Sequence, residues 1–413
     1  MPRTLVCLSH LRWDFVYQRP NHLMARAARQ YDVLFVEEPV WDDGPGTLEL
    51  VPVDGLTVVR PHLAPGADAG PAVSRLLRRL LADRGEREPV LWYYTPMALA
   101  WTEGIRPAAV VYDCMDELSA FRGAPQGLVD QERTLLRRAD LVFTGGRSLY
   151  EAKRAKSARV HCFPSSVDRA HFAAARAAQS DPADQAPIAR PRLGYFGVID
   201  ERLDLALLGE LARRRPEWQL VLVGPIAKID PAEIPSLPNV HQLGRKAYAD
   251  LPAYLAGWDV ALMPFARNEA TRYISPTKTP EYLAGGVPVV ATSIRDVVEP
   301  YGVEGMVRIA DTADDTIAAI EATLADEDRT WLERADSLLS RQSWDATWAA
   351  MARLLDRVVA PRRSAVAAWA GQPPAQPVAP VPVLERVAVA PRRRAVDVSG
   401  ARAAGAGARG RGA

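Results

Sequence analysis

Cysteine is scarce in this chain: Cys7, Cys114 and Cys162 are scattered through 413 residues, odd in number and without a C-x-x-C pair. Such spacing excludes a zinc site built on paired cysteines and a disulfide framework, and it suits a reducing cytoplasm. No apolar run approaches the ~18 residues that span a bilayer, and the opening MPRTLVCLSH lacks a charged stretch leading into a signal-peptide core. The expectation is a cytoplasmic protein, soluble or peripheral on the inner face of the plasma membrane. No Walker sequence occurs, and G-x-G-x-x-G appears only as residues 405–410 of the Arg-rich tail and not after a strand, so neither a dinucleotide oxidoreductase nor a P-loop enzyme is supported. An excess of positive charge is absent from the body of the chain. The formal net charge is +1, but beyond residue 360 nine Arg against Glu385 and Asp397 make the tail +7 and leave −6 for the rest. A mildly acidic body offers no nucleic-acid footprint. The string Asp326-Glu327-Asp328 matches a metal-binding D-x-D only as letters, because it falls between helical segments and not at a strand end; no metal is expected.

What is present is an α/β pattern, 48% hydrophobic and 24% charged, in a chain long enough for two cores. β-rich apolar runs at 4–10, 32–38, 90–94, 109–113, 140–145 and 158–163 alternate with helical stretches at 21–30, 72–84, 126–138 and 147–156, the signature of a parallel sheet wound on both faces. A polar, Ala- and Pro-containing stretch at 173–191 breaks the periodicity. Winding resumes with strands at 192–199, 219–224, 239–243 and 259–265 and helices at 203–215 and 248–258. The reading is a first domain over 1–172, a linker over 173–191, a second domain over 192–342 and an amphipathic helix over 343–360. A Pro/Ala/Gly/Arg tail at 361–413 is expected to be disordered. Two such domains face a cleft, and open α/β sheets bind ligands at the carboxyl ends of their strands.

The richest segment is ISPTKTPEYLAGGVPVV, 274–290. Ser275, Thr277 and Lys278 fall where a helix would begin, so hydroxyls, backbone N–H groups and an ammonium can meet one anion, plausibly a diphosphate. Glu281 follows about one turn later, positioned to accept both hydroxyl protons of a ribose. The plain alternative is an ordinary α/β crossover with a surface lysine and glutamate.

This segment resembles the donor site of retaining GT-B glycosyltransferases of the bacterial cell-surface polysaccharide type, those of teichuronic acid biosynthesis included. The resemblance implies a GT-B fold, two Rossmann-like domains, over about residues 4–360, with Glu281 on the ribose of a nucleotide sugar. It implies transfer of the sugar to a glycan or lipid-linked acceptor. A second glutamate usual in the family stands eight positions earlier, where this chain has Tyr273; the neighbouring Asn268, Glu269, Thr271 and Arg272 are the substitutes for donor binding. FPSSVDRAHF (163–172) resembles the segment leading into the second domain, and SWDATWAAMARLLDRV (343–358) the helix that crosses back onto the first. GYFGVIDERLDL (194–205) matches the place of a glycine for close backbone approach, Gly197, and of a base for the diphosphate, Arg202, with Lys228 the weaker candidate. Arg202 and Lys278 would stabilise the leaving diphosphate. No cofactor beyond the donor substrate is implied.

Acceptor chemistry falls to the first half. His10, Asp14 and Arg19 leave the first strand toward a helix start, and VVYDCMDELSAF (110–121) ends a strand with Asp113, Asp116 and Glu117. Asp113 or Asp116 would take the acceptor proton; a helix-capping cluster is the alternative. The segment AVSRLLRRLLADR (72–84) puts leucines on one face and arginines on the other, which suits either an anionic membrane or packing against the sheet. Two further functions on this fold remain open at this stage, a nucleotide-sugar epimerase and a catalytically weak scaffold in polysaccharide assembly.

Overall fold

The computed structural model describes residues 2–44, 46–177, 180–367 and 383–385. The first domain holds a ten-stranded sheet. Its main order runs Thr47–Val53, Leu56–Leu63, Asp32–Val36, Thr4–Leu8, Val90–Tyr93, Ala109–Cys114, Leu141–Thr144, Val160–Cys162, with Val40–Trp41 pairing Leu56–Leu63. Most of it is parallel, as expected. The exception is the antiparallel pair Thr47–Val53 and Leu56–Leu63, turned by Asp54 at φ 50° and Gly55 at φ 80°. Asp-Gly is the pair that tolerates left-handed backbone at both turn positions.

The second domain is a six-stranded, wholly parallel sheet ordered Val240–Gly244, Gln219–Val223, Arg192–Phe196, Val260–Met263, Val289–Ala291, Val307–Ile309. Numbered along the chain, that order is 3-2-1-4-5-6, the doubly wound arrangement whose crevice opens where the order reverses. The reversal lies between Arg192–Phe196 and Val260–Met263, so the loops after Phe196 and before Lys278 meet there. In the first domain the corresponding reversal lies between Thr4–Leu8 and Val90–Tyr93, which brings residues 9–18 to the same cleft.

Each layer has its own core. One face of the first sheet is covered by the helix Ala69–Asp83, whose Leu76, Leu77, Leu80 and Leu81 are buried with Leu99 and Trp101. Its leucine face is therefore spent within the domain and is not available to a membrane; Arg75 and Arg78 stay exposed. The other face is covered by the final helix, Trp344–Ala367, which reaches past the expected end at 360. Trp344, Trp348, Met351, Leu355 and Val359 are buried there with Leu5, Cys7 and Trp92 of the first domain. Residues 383–385 add a strand parallel to Thr47–Val53; the rest of 361–413, where disorder is expected, lies outside the described residues. The 173–191 stretch lies along the second domain: Arg192 bonds Asp181 at 2.7 Å, and Gln185 takes the Trp258 indole N–H at 2.9 Å.

The domains touch across the cleft. The Asp296 carboxylate accepts the Arg147 and Ser148 backbone N–H groups at 2.7 and 3.1 Å and the Ser148 hydroxyl at 2.5 Å. Arg295 pairs with Glu151 at 2.6 Å, and the Ser165 hydroxyl donates to the Ser275 carbonyl at 2.5 Å.

Candidate functional site

Two cavities share walls in the cleft. One, of about 330 Å³, is lined by Gly197, Arg202, Thr277, Lys278 and Glu281 from the second domain, closed over by Trp13–Gln18 of the first. The other, of about 430 Å³, lies on the first-domain side with His10, Met115, Asp116, Phe121, Asp200 and Lys228. Phe15, Gln18, Val198 and Arg202 line both.

The floor of the first cavity is built by close backbone approach. Gly197 and Gly224 have φ of 142° and 152°. A Cβ on Gly224 would sit 1.8 Å from the Gly197 carbonyl oxygen, and one on Gly197 would sit 2.1 Å from Cε of Lys278. No other residue leaves room for the lysine stem to pass under that loop. Lys278 opens the helix Lys278–Ala284 and Glu281 lies within its first turn. Glu281 is buried, and among the described residues neither its carboxylate nor the Lys278 ammonium has a hydrogen-bond or ion-pair partner. Burial drives the Glu281 carboxyl up to about 7, with Lys278 opposing, and burial lowers the Lys278 ammonium. A buried acid and a half-buried ammonium, neither with a hydrogen-bond partner, suit a site that takes a polar ligand.

Arg202 reaches this junction from the loop after Arg192–Phe196, steadied by Asp200 through Nη2 at 2.7 Å and Nε at 2.9 Å. Its guanidinium carbon lies 5.6 Å from the Phe121 ring centre, and Lys228 Nζ lies 4.7 Å from the same ring. Phe121 thus receives two cations from the opposite domain. Asp116 has no side-chain hydrogen bond among the described residues. Burial raises its pKa, while Arg202, Lys228 and Lys278 pull the other way. His10 is held neutral, its pKa lowered to about 4 by burial and by Lys228. Its Nδ1 is buried without a partner.

The remaining expected residues lie elsewhere. Asp113 is wholly buried and gripped by Arg19, Nη2 to Oδ1 at 2.8 Å and Nε to Oδ1 at 3.0 Å, while Arg19 Nη1 holds the Phe163 carbonyl at 2.8 Å. That pair is a strut between strand and helix, and neither member lines the cleft, so a proton role for Asp113 and an acceptor contact for Arg19 do not follow. Asp14 rims the first cavity, where its backbone oxygen accepts from Arg245. Asn268 and Arg272 are exposed and Thr271 is buried, and all three line a separate cavity with Ser148, Glu151 and Tyr273. Asn268 and Thr271 satisfy each other, Thr271 N–H to Oδ1 at 3.2 Å and Asn268 N–H to the Thr271 hydroxyl at 3.1 Å. Tyr273 packs against the first-domain core. Ser275 serves the domain contact described above. Asp326 and Asp328 line a cavity of about 680 Å³ among Arg308, Arg329 and Arg334, at the amino ends of the strands and away from the cleft. Residues that the sequence did not single out are Tyr17, Arg245, Lys246 and Tyr248, all on the first cavity.

Residues 190–326 match the family described as Glycosyl transferases group 1. The second domain is a group 1 glycosyl transferase domain. Over 279 residues, 62% of this chain and 68% of the relative, the chain is 27% identical to TuaH of Bacillus subtilis (strain 168), a candidate teichuronic acid biosynthesis glycosyltransferase. Among solved structures it superposes on sucrose-phosphate synthase of Thermosynechococcus elongatus with a TM-score of 0.66, at 16% identity, covering 89% of this chain and all of that one. Anabaena HepE, solved with UDP and glucose, gives 0.64 at 15% identity, covering 86% and 100%. At such identities the likeness fixes the GT-B fold. The transferase domain contributes Gly197, Arg202, Thr277, Lys278 and Glu281 to the cleft, and nothing in the family match favours an epimerase or a scaffold.

Proposed function

We propose that the protein transfers a hexosyl group from a nucleoside diphosphate sugar to a hydroxyl of a glycan or lipid-linked acceptor in cell-surface polysaccharide synthesis, with retained anomeric configuration. The observation that carries this reading is the unpartnered pair Glu281 and Lys278 at the base of a two-domain cavity. Glu281 holds the ribose, Lys278 and Arg202 take the charge of the departing diphosphate, and the low-dielectric surroundings strengthen both. Asp116, on the opposite wall, meets the acceptor hydroxyl; its raised pKa suits it to receive a proton. Peripheral membrane contact in this reading is electrostatic, through exposed arginines such as Arg75 and Arg78, and should vanish at high salt.

Calorimetry with UDP and GDP tests the donor assignment. The wild type should bind at least one, and Glu281→Ala should weaken that binding by about 1.5 to 3 kcal/mol, the range for hydrogen bonds to a charged group. A wild type that binds no nucleoside diphosphate overturns the reading. The anomeric configuration of the transferred sugar, read from its proton coupling constant, tests retention, and an inverted product sinks it.

A further inference from the structure

Tyr248 is built into the donor cavity in an unusual way. Both faces of its ring are covered: Tyr17 of the first domain stacks on one at 4.5 Å between centroids and 28° between planes, and His171 lies on the ring at 4.4 Å and 12°. Phe172 and His22 close its edges at 5.7 and 5.4 Å. A ring so enclosed cannot stack on a nucleobase. The hydroxyl is buried and has no hydrogen-bond partner, and Tyr248 lines the same cavity as Glu281, Thr277 and Lys278. A buried hydroxyl left unsatisfied is costly and rarely kept without a use. Burial first, and the Glu281 carboxylate second, push its pKa well above the ordinary tyrosine value, so it stays a donor. A residue whose carboxylate only accepts and one whose phenol donates thus line one cavity. Their complement is a group that does both, and a vicinal pair of hydroxyls does so: each hydroxyl donates to the carboxylate, and one oxygen receives the phenol O–H.

We infer that the Tyr248 hydroxyl is a donor-recognition group that, together with Glu281, selects the intact diol of a ribonucleoside diphosphate against its 2′-deoxy counterpart. This rests on the nucleotide-sugar reading above and narrows the donors to ribonucleotide sugars, leaving deoxythymidine diphosphate sugars as poor ligands. Because Tyr17 stacks on the same ring, the position of this hydroxyl is set by both domains together.

The experiment is a ligand-and-variant cycle by calorimetry. UDP, GDP and their 2′-deoxy forms are titrated into the wild type and into Tyr248→Phe, which keeps the stacked ring and removes only the oxygen. The wild type should bind the ribo form at least about tenfold more tightly than the deoxy form, one hydrogen bond's worth of discrimination. Tyr248→Phe should lose about tenfold for the ribo form and keep its affinity for the deoxy form, with an unchanged melting temperature. Equal affinity of Tyr248→Phe and wild type for the ribo form overturns the inference, as does a loss shared equally by ribo and deoxy forms. A wild type that binds neither UDP nor GDP refutes the nucleotide-sugar reading itself, which keeps the two failures apart.

Discussion

A single buried carboxylate makes the stability of this fold depend on pH. In an unfolded chain Glu281 ionises near 4.5, whereas in the fold it keeps its proton up to about 7 because burial disfavours the charge. Between those values the unfolded state sheds its proton first, so the folded state loses stability as pH rises through the window, and the deficit is complete above about 7. Glu281→Gln should therefore melt above the wild type at pH 8, with the advantage shrinking toward pH 4.5, while it binds nucleotide more weakly. A melting difference that ignores pH would contradict this assignment. The two strand-end acids separate in the same way. Asp113→Asn strips the buried Arg19 of its partner and should destabilise by about 3 to 5 kcal/mol. Asp116→Asn should leave the melting temperature nearly unchanged and lower turnover by ~10² to 10⁴-fold if it handles the acceptor proton. Glu281 and Lys278 were legible in the sequence because their motif is local: hydroxyls, a lysine and an acid within one helical turn. Asp113 and Asp116 were not separable there, since three residues in an irregular strand end set no facing direction. Tyr248 gave no signal, because its role depends on Tyr17 and His171, which arrive from distant parts of the chain.

Elements were easier to read than their partners. Parallel strands and covering helices follow from apolar runs alternating with amphipathic stretches, yet Asp54-Gly55 between LVPV and LTVV carries a hairpin that a purely parallel expectation passes over. Arginines and leucines on Ala69–Asp83 left two environments open, and only the sheet beneath decided between them. The same dependence on tertiary partners governs the helix Arg147–Arg154. Its start is Gly146, which provides no side-chain cap; the cap is Asp296 from the other domain. Asp296→Ala should cost about 1 to 2 kcal/mol, as expected for loss of an N-cap. It should also loosen domain closure, read as a lower melting temperature with a larger radius of gyration in small-angle scattering. Gly146→Ala should act alike, since its Cβ would stand 2.2 Å from Asp296 Oδ2 and 2.6 Å from Ser275 Cβ.

On the scale of the whole molecule, the chain visits the first domain, builds the second and returns to finish on the first. Trp344, Trp348, Met351 and Leu355 belong to the first domain's core although they follow the second in sequence. A chain ending at Glu385 should keep its melting temperature, whereas one ending at Gln342 should lose the first domain's cooperative unfolding, since truncating one buried tryptophan to alanine already costs about 3 to 5 kcal/mol. Differential scanning calorimetry of the two chains reads the difference. The return has a mechanical meaning as well. Two separate lengths of polypeptide, one near 163–192 and one near 340–344, span the gap, as a cover is bound to a book along its spine. A body attached at two points can swing about the line through them but cannot spin freely, so the two walls of the cleft are bound to face each other in one register.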